Sequence, residues 1–274
     1  MGTPLILDQT LYPPDQNLLP FAITDVLTEY IGNHEEPLLH FWQLEHTMIL
    51  GMKDTRVPHL NAGVASLQQA GMDVVVRNSG GLGVIADAGV LNISLILPLK
   101  DTPLTTAAAY EKMLALTQRA FPELSLTTGE VTTSYCPGEF DLSVNGRKIA
   151  GIAQRRIKQG VAVMMYLSVN GDQQQRGQIV EDFYHQGLQQ AFGTHGYPPV
   201  DPDSMTTVAD CLASPISIKE ATQRFCTAFH PAAQIINSSQ WLLANGDLEL
   251  YHQRINSMIQ RNQLIKELTE SDLL

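Results

Sequence analysis

The stretch Ser134-Tyr-Cys-Pro-Gly-Glu-Phe-Asp-Leu-Ser-Val-Asn-Gly-Arg-Lys-Ile-Ala-Gly-Ile-Ala-Gln-Arg-Arg156 reads as a cysteine-bearing loop running into a hairpin. Pro137-Gly138 bends the backbone just after Cys136, and Asp141 to Val144 reads as a strand. Asn145-Gly146 is the strongest two-residue hairpin signal, because both central positions of a type I′ turn need φ > 0. In such a hairpin Val144 faces Arg147 and Ser143 faces Lys148. Strand alternation then places Lys148 on one face with Ala150 and Ile152. A thiol at the mouth of a hairpin acts at neutral pH when a nearby group favours its thiolate or accepts its proton. A lysine partly desolvated on an apolar strand face is suited to proton transfer. Two plainer readings stay open from this stretch alone: Cys136 as a buried filler thiol, and Lys148 as a solvated surface charge.

On the N-terminal side lies a second informative segment. Met72 to Val76 reads as a strand, followed by Arg77-Asn-Ser-Gly-Gly-Leu-Gly83, a short strand Val84 to Ala86, the turn Asp87-Ala-Gly89 and a strand over Leu91 to Leu97. No Gly-Lys-Ser/Thr follows, so this is not a P-loop, and no helix opens after it, so it is not a dinucleotide fingerprint. Glycines here let backbone N–H groups approach a ligand closely; a tight turn is the simpler alternative.

Elsewhere the periodicity predicts helices over Leu19–Ile31, Asn61–Ala70, Thr105–Phe121, Ile179–Phe192 and Ser217–Phe229, and one from about Gly246 to Leu268. Ser217-Ile-Lys-Glu220 has the capping-box pattern. Strands are expected at Leu38–Leu44 and Val161–Val169, with His46–Gly51 as a further short apolar run. Residues 1–19 read as an irregular arm, and His40 and His46 as core or edge histidines. No internal repeat or domain boundary is evident. The expectation is one domain over residues 1–274, with a helical extension from about residue 230.

The chain has 274 residues, 44% of them hydrophobic and 16% charged, enough for a sizeable core. No uncharged apolar run is long enough for a spanning helix, and Met1 to Asp8 lacks a basic and apolar leader pattern. Three widely spaced cysteines, Cys136, Cys211 and Cys226, argue against a disulfide framework or a metal site. The expected compartment is the reducing cytoplasm. A net charge of −11 disfavours nucleic acid as a partner. Basic charge is nonetheless concentrated locally at Arg147, Lys148, Arg155, Arg156 and Lys158. That cluster reads as a docking patch for an acidic partner or, equally simply, as a solvated hairpin face.

Two segments in order, Val76-Arg-Asn-Ser-Gly-Gly-Leu-Gly-Val-Ile-Ala-Asp-Ala-Gly-Val-Leu-Asn-Ile-Ser94 and Gly146-Arg-Lys-Ile-Ala-Gly-Ile-Ala-Gln154, resemble the signature of the lipoate/biotin protein ligase and octanoyltransferase family. The resemblance runs from about residue 20 to about residue 230. It implies an α+β catalytic domain of the biotin/lipoate protein ligase type, with a larger mixed sheet and a smaller sheet flanked by helices. Asp87 stands where many members have histidine, and Leu82 interrupts the glycines. Ser134-Tyr-Cys-Pro-Gly, followed by Phe140-Asp-Leu-Ser143, resembles the branch of this family that moves octanoyl groups between proteins.

That branch implies Cys136 as acyl-carrying nucleophile and Lys148 as the family's lysine. Arg77, Ser79, Gly80, Gly81, Gly83, Asp87, Ala150 and Gly151 are the substrate-binding candidates. The implied donor is the glycine-cleavage H protein, and the implied acceptors are the lipoyl domains of 2-oxoacid dehydrogenase E2 subunits. No cofactor, metal or membrane is implied. Val76, Val84 and Ile152 are expected to line an acyl slot, and Arg147, Arg155, Arg156 and Lys158 to form the docking surface. The alternatives are octanoyl transfer from acyl carrier protein, ATP-dependent lipoate ligation, and a non-catalytic lipoyl-binding protein.

Overall fold

Near-continuous apolar runs such as Leu38–Gln43 and Val90–Pro98 belong to a sheet covered on both faces, and both runs are buried along almost their whole length. The computed structural model describes residues 3–100, 104–245 and 248–271. In chain order they form β1 (Leu5–Leu11), α1 (Leu19–Gly32), β2 (Leu38–Gln43), β3 (Thr47–Leu50), α2 (Leu60–Gln69), β4 (Asp73–Val76), β5 (Val84–Ala86), β6 (Val90–Pro98) and α3 (Thr106–Ala120). They continue through β7 (Thr127–Thr128), β8 (Leu142–Val144), β9 (Arg147–Ile157), β10 (Gly160–Ser168), α4 (Gln173–Leu188), α5 (Val208–Leu212), α6 (Ile218–Phe229), β11 (Gln234–Ile236), α7 (Ser238–Asn245) and α8 (Leu248–Ser271).

An eight-stranded sheet has the order β11-β1-β2-β6-β10-β9-β8-β7, and a three-stranded sheet the order β4-β3-β5. In the large sheet β1 runs parallel to both neighbours, while the other pairings are antiparallel. Both sheets are therefore present as expected, the larger one mixed. Alternation along the strands divides the apolar side chains between two cores. Leu7 and Leu38 join α1, α2, α4 and the small sheet on one side, and Ile6, Leu39 and Phe41 join α3 and α6 on the other. Among the described residues no helix is long and apolar enough to cross a membrane.

Several elements differ from the sequence reading. The N-terminal arm is not irregular throughout, since Leu5–Leu11 is a strand lying between β2 and β11. Its apolar run is too short to declare itself and becomes a strand through pairing with chain far away. Helix α4 begins at Gln173, before the expected Ile179, with the Asp172 side chain accepting the Gln175 N–H. Its first turn is polar, which hides the period, yet Gln173 and Arg176 are both buried. The last helix is observed from Leu248; Gly246, like Met1 and Gly2 of the leader reading, lies outside the described residues.

Helix α8 closes a sheet edge. Strand β4 is an edge of the small sheet, and the Asn262 side chain stands in for a missing strand. Its Oδ1 accepts the Val76 N–H at 2.6 Å, and its Nδ2 donates to the Val76 carbonyl at 3.1 Å. Asn262→Leu leaves both buried backbone groups without partners, so denaturant melts should show a loss of about 1 to 3 kcal/mol. An unchanged midpoint would show that the edge is satisfied without Asn262.

His40 is fully buried on β2, between the Thr24 hydroxyl at 3.0 Å and Gln9 Oε1 at 2.7 Å. Burial pushes its ring down from 6.5 to about 3. Below pH 6.5 the unfolded chain therefore takes up a proton that the folded chain refuses until about pH 3, so this histidine makes stability fall with falling pH across that window. Asp54, pushed up by burial to about 6, works in the opposite sense. Comparison of wild type with His40→Gln isolates the histidine: the variant should lose less stability between pH 6.5 and 4.

Candidate active site

The hairpin forms with the expected turn, Asn145 at φ 51° and Gly146 at φ 75°, and the expected opening register, Ser143 opposite Lys148 and Val144 opposite Arg147. Beyond it the register shifts, so that Leu142 faces Ala150. This bulge changes which residues share the lysine's face. Gly151, not Ala150, comes beside Lys148: a Cβ on Gly151 would stand 3.4 Å from Lys148 Cε. Ala150 instead packs into the core beneath α3 with Leu142 and Ile149.

Lys148 is buried, and all its polar partners are oxygen acceptors. Its Nζ lies 3.0 Å from Asp141 Oδ1 and donates to the Ser134 hydroxyl at 3.1 Å and to the carbonyls of Tyr135 and Cys136 at 2.9 and 2.8 Å. The ammonium also lies 5.7 Å from the centroid of the Tyr166 ring. The expected apolar strand face is thus replaced by a nest of oxygens that suits a cation. Burial pushes the Asp141 carboxyl up, against the pull of the Lys148 charge and the amides of Gly138 and Val131.

This nest shapes the cysteine loop. Cys136 adopts φ 47°, a left-handed conformation that costs a non-glycine residue of order 1 kcal/mol or more. The hydrogen bond from Lys148 to the Cys136 carbonyl holds it there. Cys136 Sγ is then turned toward the glycine-rich segment, where it accepts the Leu82 N–H at 3.1 Å and lies 3.5 Å from Arg77 Nη2. The same Arg77 nitrogen donates to the Leu82 carbonyl at 2.7 Å. Gly81 makes this approach possible. Its φ is 95°, and a Cβ there would overlap the Arg77 guanidinium and stand 3.0 Å from Cys136 Sγ.

Cys136 forms part of the wall of a cavity of about 280 Å³. Its apolar lining includes Phe21 of α1, Trp42 of β2, Ile49 and Val84 of the small sheet, and Ile93 and Met164 of the large sheet. Of the expected substrate-binding residues, Arg77, Ser79, Gly80, Gly81 and Gly151 line it. Gly83, Asp87 and Ala150 do not. Gly83 lies against Met48 in the small sheet. Asp87 is drawn to Arg176, 3.3 Å from its Nε, and accepts the Ala88 N–H at 2.8 Å. Of the expected acyl-slot residues, Val84 and Ile152 line the cavity, whereas Val76 is buried beneath Asn262.

The four expected docking cations do not make one free surface. Arg147 donates to the carbonyls of Asp203 and Met205, Arg155 pairs with Asp25, Arg156 donates to Gln154 and to the Leu104 carbonyl, and Lys158 pairs with Glu29. Neighbouring positions on a strand point to opposite faces, so Arg155 and Arg156 cannot act as a block.

Three residues that the sequence reading passed over support this site. Asp141 supplies the carboxylate for Lys148. Asp54 is a buried acid accepting the Gly51 N–H and the Tyr184 hydroxyl, each at 2.8 Å. Tyr166 fills the space that Gly151 leaves open. Only Asp141 carried a signal, being the acid within the same hairpin that a buried lysine requires. Among the described residues no group of three or more His, Cys, Asp or Glu side chains is placed to hold a metal ion.

The mixed sheet, the small sheet and the cavity between them define a lipoyl ligase-type catalytic domain, and residues 16–230 match the model of the lipoyl protein ligase A/B catalytic domain; the chain belongs to that family. It is 36% identical over 267 residues to an octanoyl-[GcvH]:protein N-octanoyltransferase of Anoxybacillus flavithermus, covering 94% of each chain. It is 35% identical over 260 residues to a lipoyl-[GcvH]:protein N-lipoyltransferase of Listeria monocytogenes, covering 93% of this chain and 92% of that protein. The solved structure of a bi-partite lipoate protein ligase from Thermoplasma acidophilum has the same fold, with TM-score 0.66 and 18% identity over 93% of each chain.

Gly81→Ala should leave the circular dichroism spectrum of the wild type and change the rate of Cys136 alkylation by iodoacetamide severalfold, since the added Cβ would displace the Arg77 guanidinium and stand against the sulfur. Alkylation at the wild-type rate would show that the close approach of loop and thiol does not set the surroundings of Cys136.

Proposed function

We propose that this chain is a cytoplasmic protein N-octanoyltransferase. It takes octanoyl from a lysine of the glycine-cleavage H protein, carries it as a thioester on Cys136, and delivers it to the lysine of lipoyl domains in 2-oxoacid dehydrogenase E2 subunits. The observation that carries the reading is the placement of Cys136 Sγ in the wall of an apolar cavity, beneath two N–H donors. The two relatives, named for acyl transfer from GcvH, support the choice of donor.

The chemistry follows from the placement. The Cys136 thiolate adds to the carbonyl carbon of the octanoyl-lysine amide, and the carbonyl electrons move onto oxygen. The Leu82 N–H and the Arg77 guanidinium, already at the sulfur, are the donors nearest that oxyanion. Collapse breaks the C–N bond and the donor lysine leaves as an amine, taking up one proton. The acceptor amine then attacks the thioester, the C–S bond breaks, the thiolate returns, and one proton is released. The two half-reactions consume no net proton. The cavity holds the acyl tail away from water.

Lys148 has a different part from the direct proton shuttle expected of it. Its amine is committed to Asp141, Ser134 and two carbonyls, and it stands behind the cysteine loop rather than in the cavity wall. In this reading it fixes the Cys136 backbone and places positive charge near the reacting sulfur.

Incubation of the wild type with octanoylated H protein, without ATP, should add one octanoyl mass, removable by hydroxylamine; Cys136→Ser should gain none. Loading from octanoyl-acyl carrier protein but not from H protein would move the donor assignment to the carrier protein. Loading from neither would overturn the thioester route. A parallel incubation with lipoylated H protein reads which acyl group is preferred.

A further inference from the structure

Arg155 holds a position that docking does not explain. Its Nε and Nη2 donate to the two carboxylate oxygens of Asp25, at 2.7 and 3.0 Å, a bidentate fork. Its Nη1 donates to the Asn78 carbonyl at 2.8 Å. Asp25 is 4% exposed, so its carboxylate is buried with this guanidinium as its charge partner. An arginine already neutralised in this way offers an acidic protein little net charge. Removing it would leave a buried carboxylate unpaired.

The three points joined by Arg155 all adjoin the cavity. Thr24, just before Asp25 on α1, lines it; so does Asn78 itself; so does Gln154, just before Arg155 on β9. Asn78 also begins the turn that matters most. Its predecessor Arg77 reaches Cys136 Sγ and the Leu82 carbonyl, and Leu82 supplies the N–H to the same sulfur. Between Asn78 and Leu82 the chain is Ser79-Gly80-Gly81, which has almost no side-chain mass to pack and much conformational freedom to lose. Such a turn keeps its donors in place only if its ends are held from outside.

We infer that the Asp25–Arg155 pair is a positioning brace for acyl transfer: it anchors the Asn78 end of the glycine-rich turn to α1 and β9, and so holds Arg77 and the Leu82 N–H on Cys136. Arg155 and Asp25 act through the turn rather than on the substrate. The kinetic consequence rests on the acyl-transfer reading above; the structural consequence does not.

The test uses the full chain with Asp25→Asn, which keeps the arginine charge but ends the ion pair, and Arg155→Gln. Two quantities are read. The first is amide hydrogen exchange of residues 78–83, with strand β10 as internal control. The second is single-turnover loading of Cys136 by octanoylated H protein, beside the dissociation constant for that donor and its salt dependence. The brace predicts faster exchange confined to residues 78–83 in both variants. It also predicts loading slowed about 10- to 100-fold, the range expected for misplaced donors, with donor affinity unchanged. Arg155→Lys, which keeps the charge and gives up the fork, should fall between wild type and Arg155→Gln on both readouts; it serves as the second variant where Asp25→Asn folds poorly. Three results overturn the brace: exchange of the turn unchanged; exchange raised equally in β10, which would mean general loosening; or unchanged loading with weaker, less salt-sensitive donor binding in Arg155→Gln, which would restore Arg155 to docking. If the wild type itself is never loaded, the acyl-transfer reading fails, and the exchange measurement alone still decides the brace.

Discussion

A buried ammonium must find oxygen partners or the fold around it fails, and Lys148 meets that demand with Asp141, Ser134 and the carbonyls of Tyr135 and Cys136. All four partners lie within eight residues of one another in the cysteine loop. The lysine therefore gathers a segment with little regular secondary structure of its own and fastens it to β9. The left-handed backbone at Cys136 is one result, and the direction of the thiol is another. Removing the carboxylate or the ammonium alone would leave the other buried without a countercharge, a loss of about 3 to 5 kcal/mol for pairs of this kind.

The opposite wall of the cavity is held by different means. The glycine-rich turn carries the donors that meet the thiol, but glycine supplies no packing. Its supports come from outside: Arg155 at the Asn78 end, and beneath the turn the buried Asp54 with the Gly51 amide and the Tyr184 hydroxyl. The small sheet on which the turn sits has its open edge closed by Asn262 of α8. Flexible backbone around the thiol is thus combined with anchors held by other elements of the fold, the arrangement that preorganised donors require.

Asp87 is held by a polar network rather than placed in the cavity wall. Its carboxylate meets Arg176, which in turn donates to Ser168 and to the Asn170 carbonyl. Ser168 donates to Gln173, whose amide reaches the Tyr135 hydroxyl, so a buried polar chain runs from Asp87 to the residue preceding Cys136. Asp87 lies at the far end of that chain and outside the cavity wall.

Local signals in the sequence determined a good deal. The Asn145-Gly146 turn, its opening register, the apolar strands of the large sheet and the Ser217 cap are properties of adjacent residues: a positive φ, a two-residue period, a side chain that accepts the Glu220 N–H. Cys136, Lys148 and the glycine-rich segment stood out as residue types at short spacings, but it was the resemblance to the ligase family, not the spacing, that singled them out as a candidate site. Tertiary structure alone decided what those residues touch. Arg155 meets Asp25 across 130 positions of chain and Asn262 meets Val76 across 186, and nothing in either neighbourhood announces the pairing. The bulge after Lys148 moved Gly151 to the lysine's face and Ala150 away from it, a shift of one residue that strand alternation cannot foresee. Strand β1 likewise exists because β2 and β11 offer it partners. Short-range geometry is written in the order of the residues, whereas charge pairing, edge closure and register slips depend on distant parts of the chain arriving together, and that is settled only when the whole core packs.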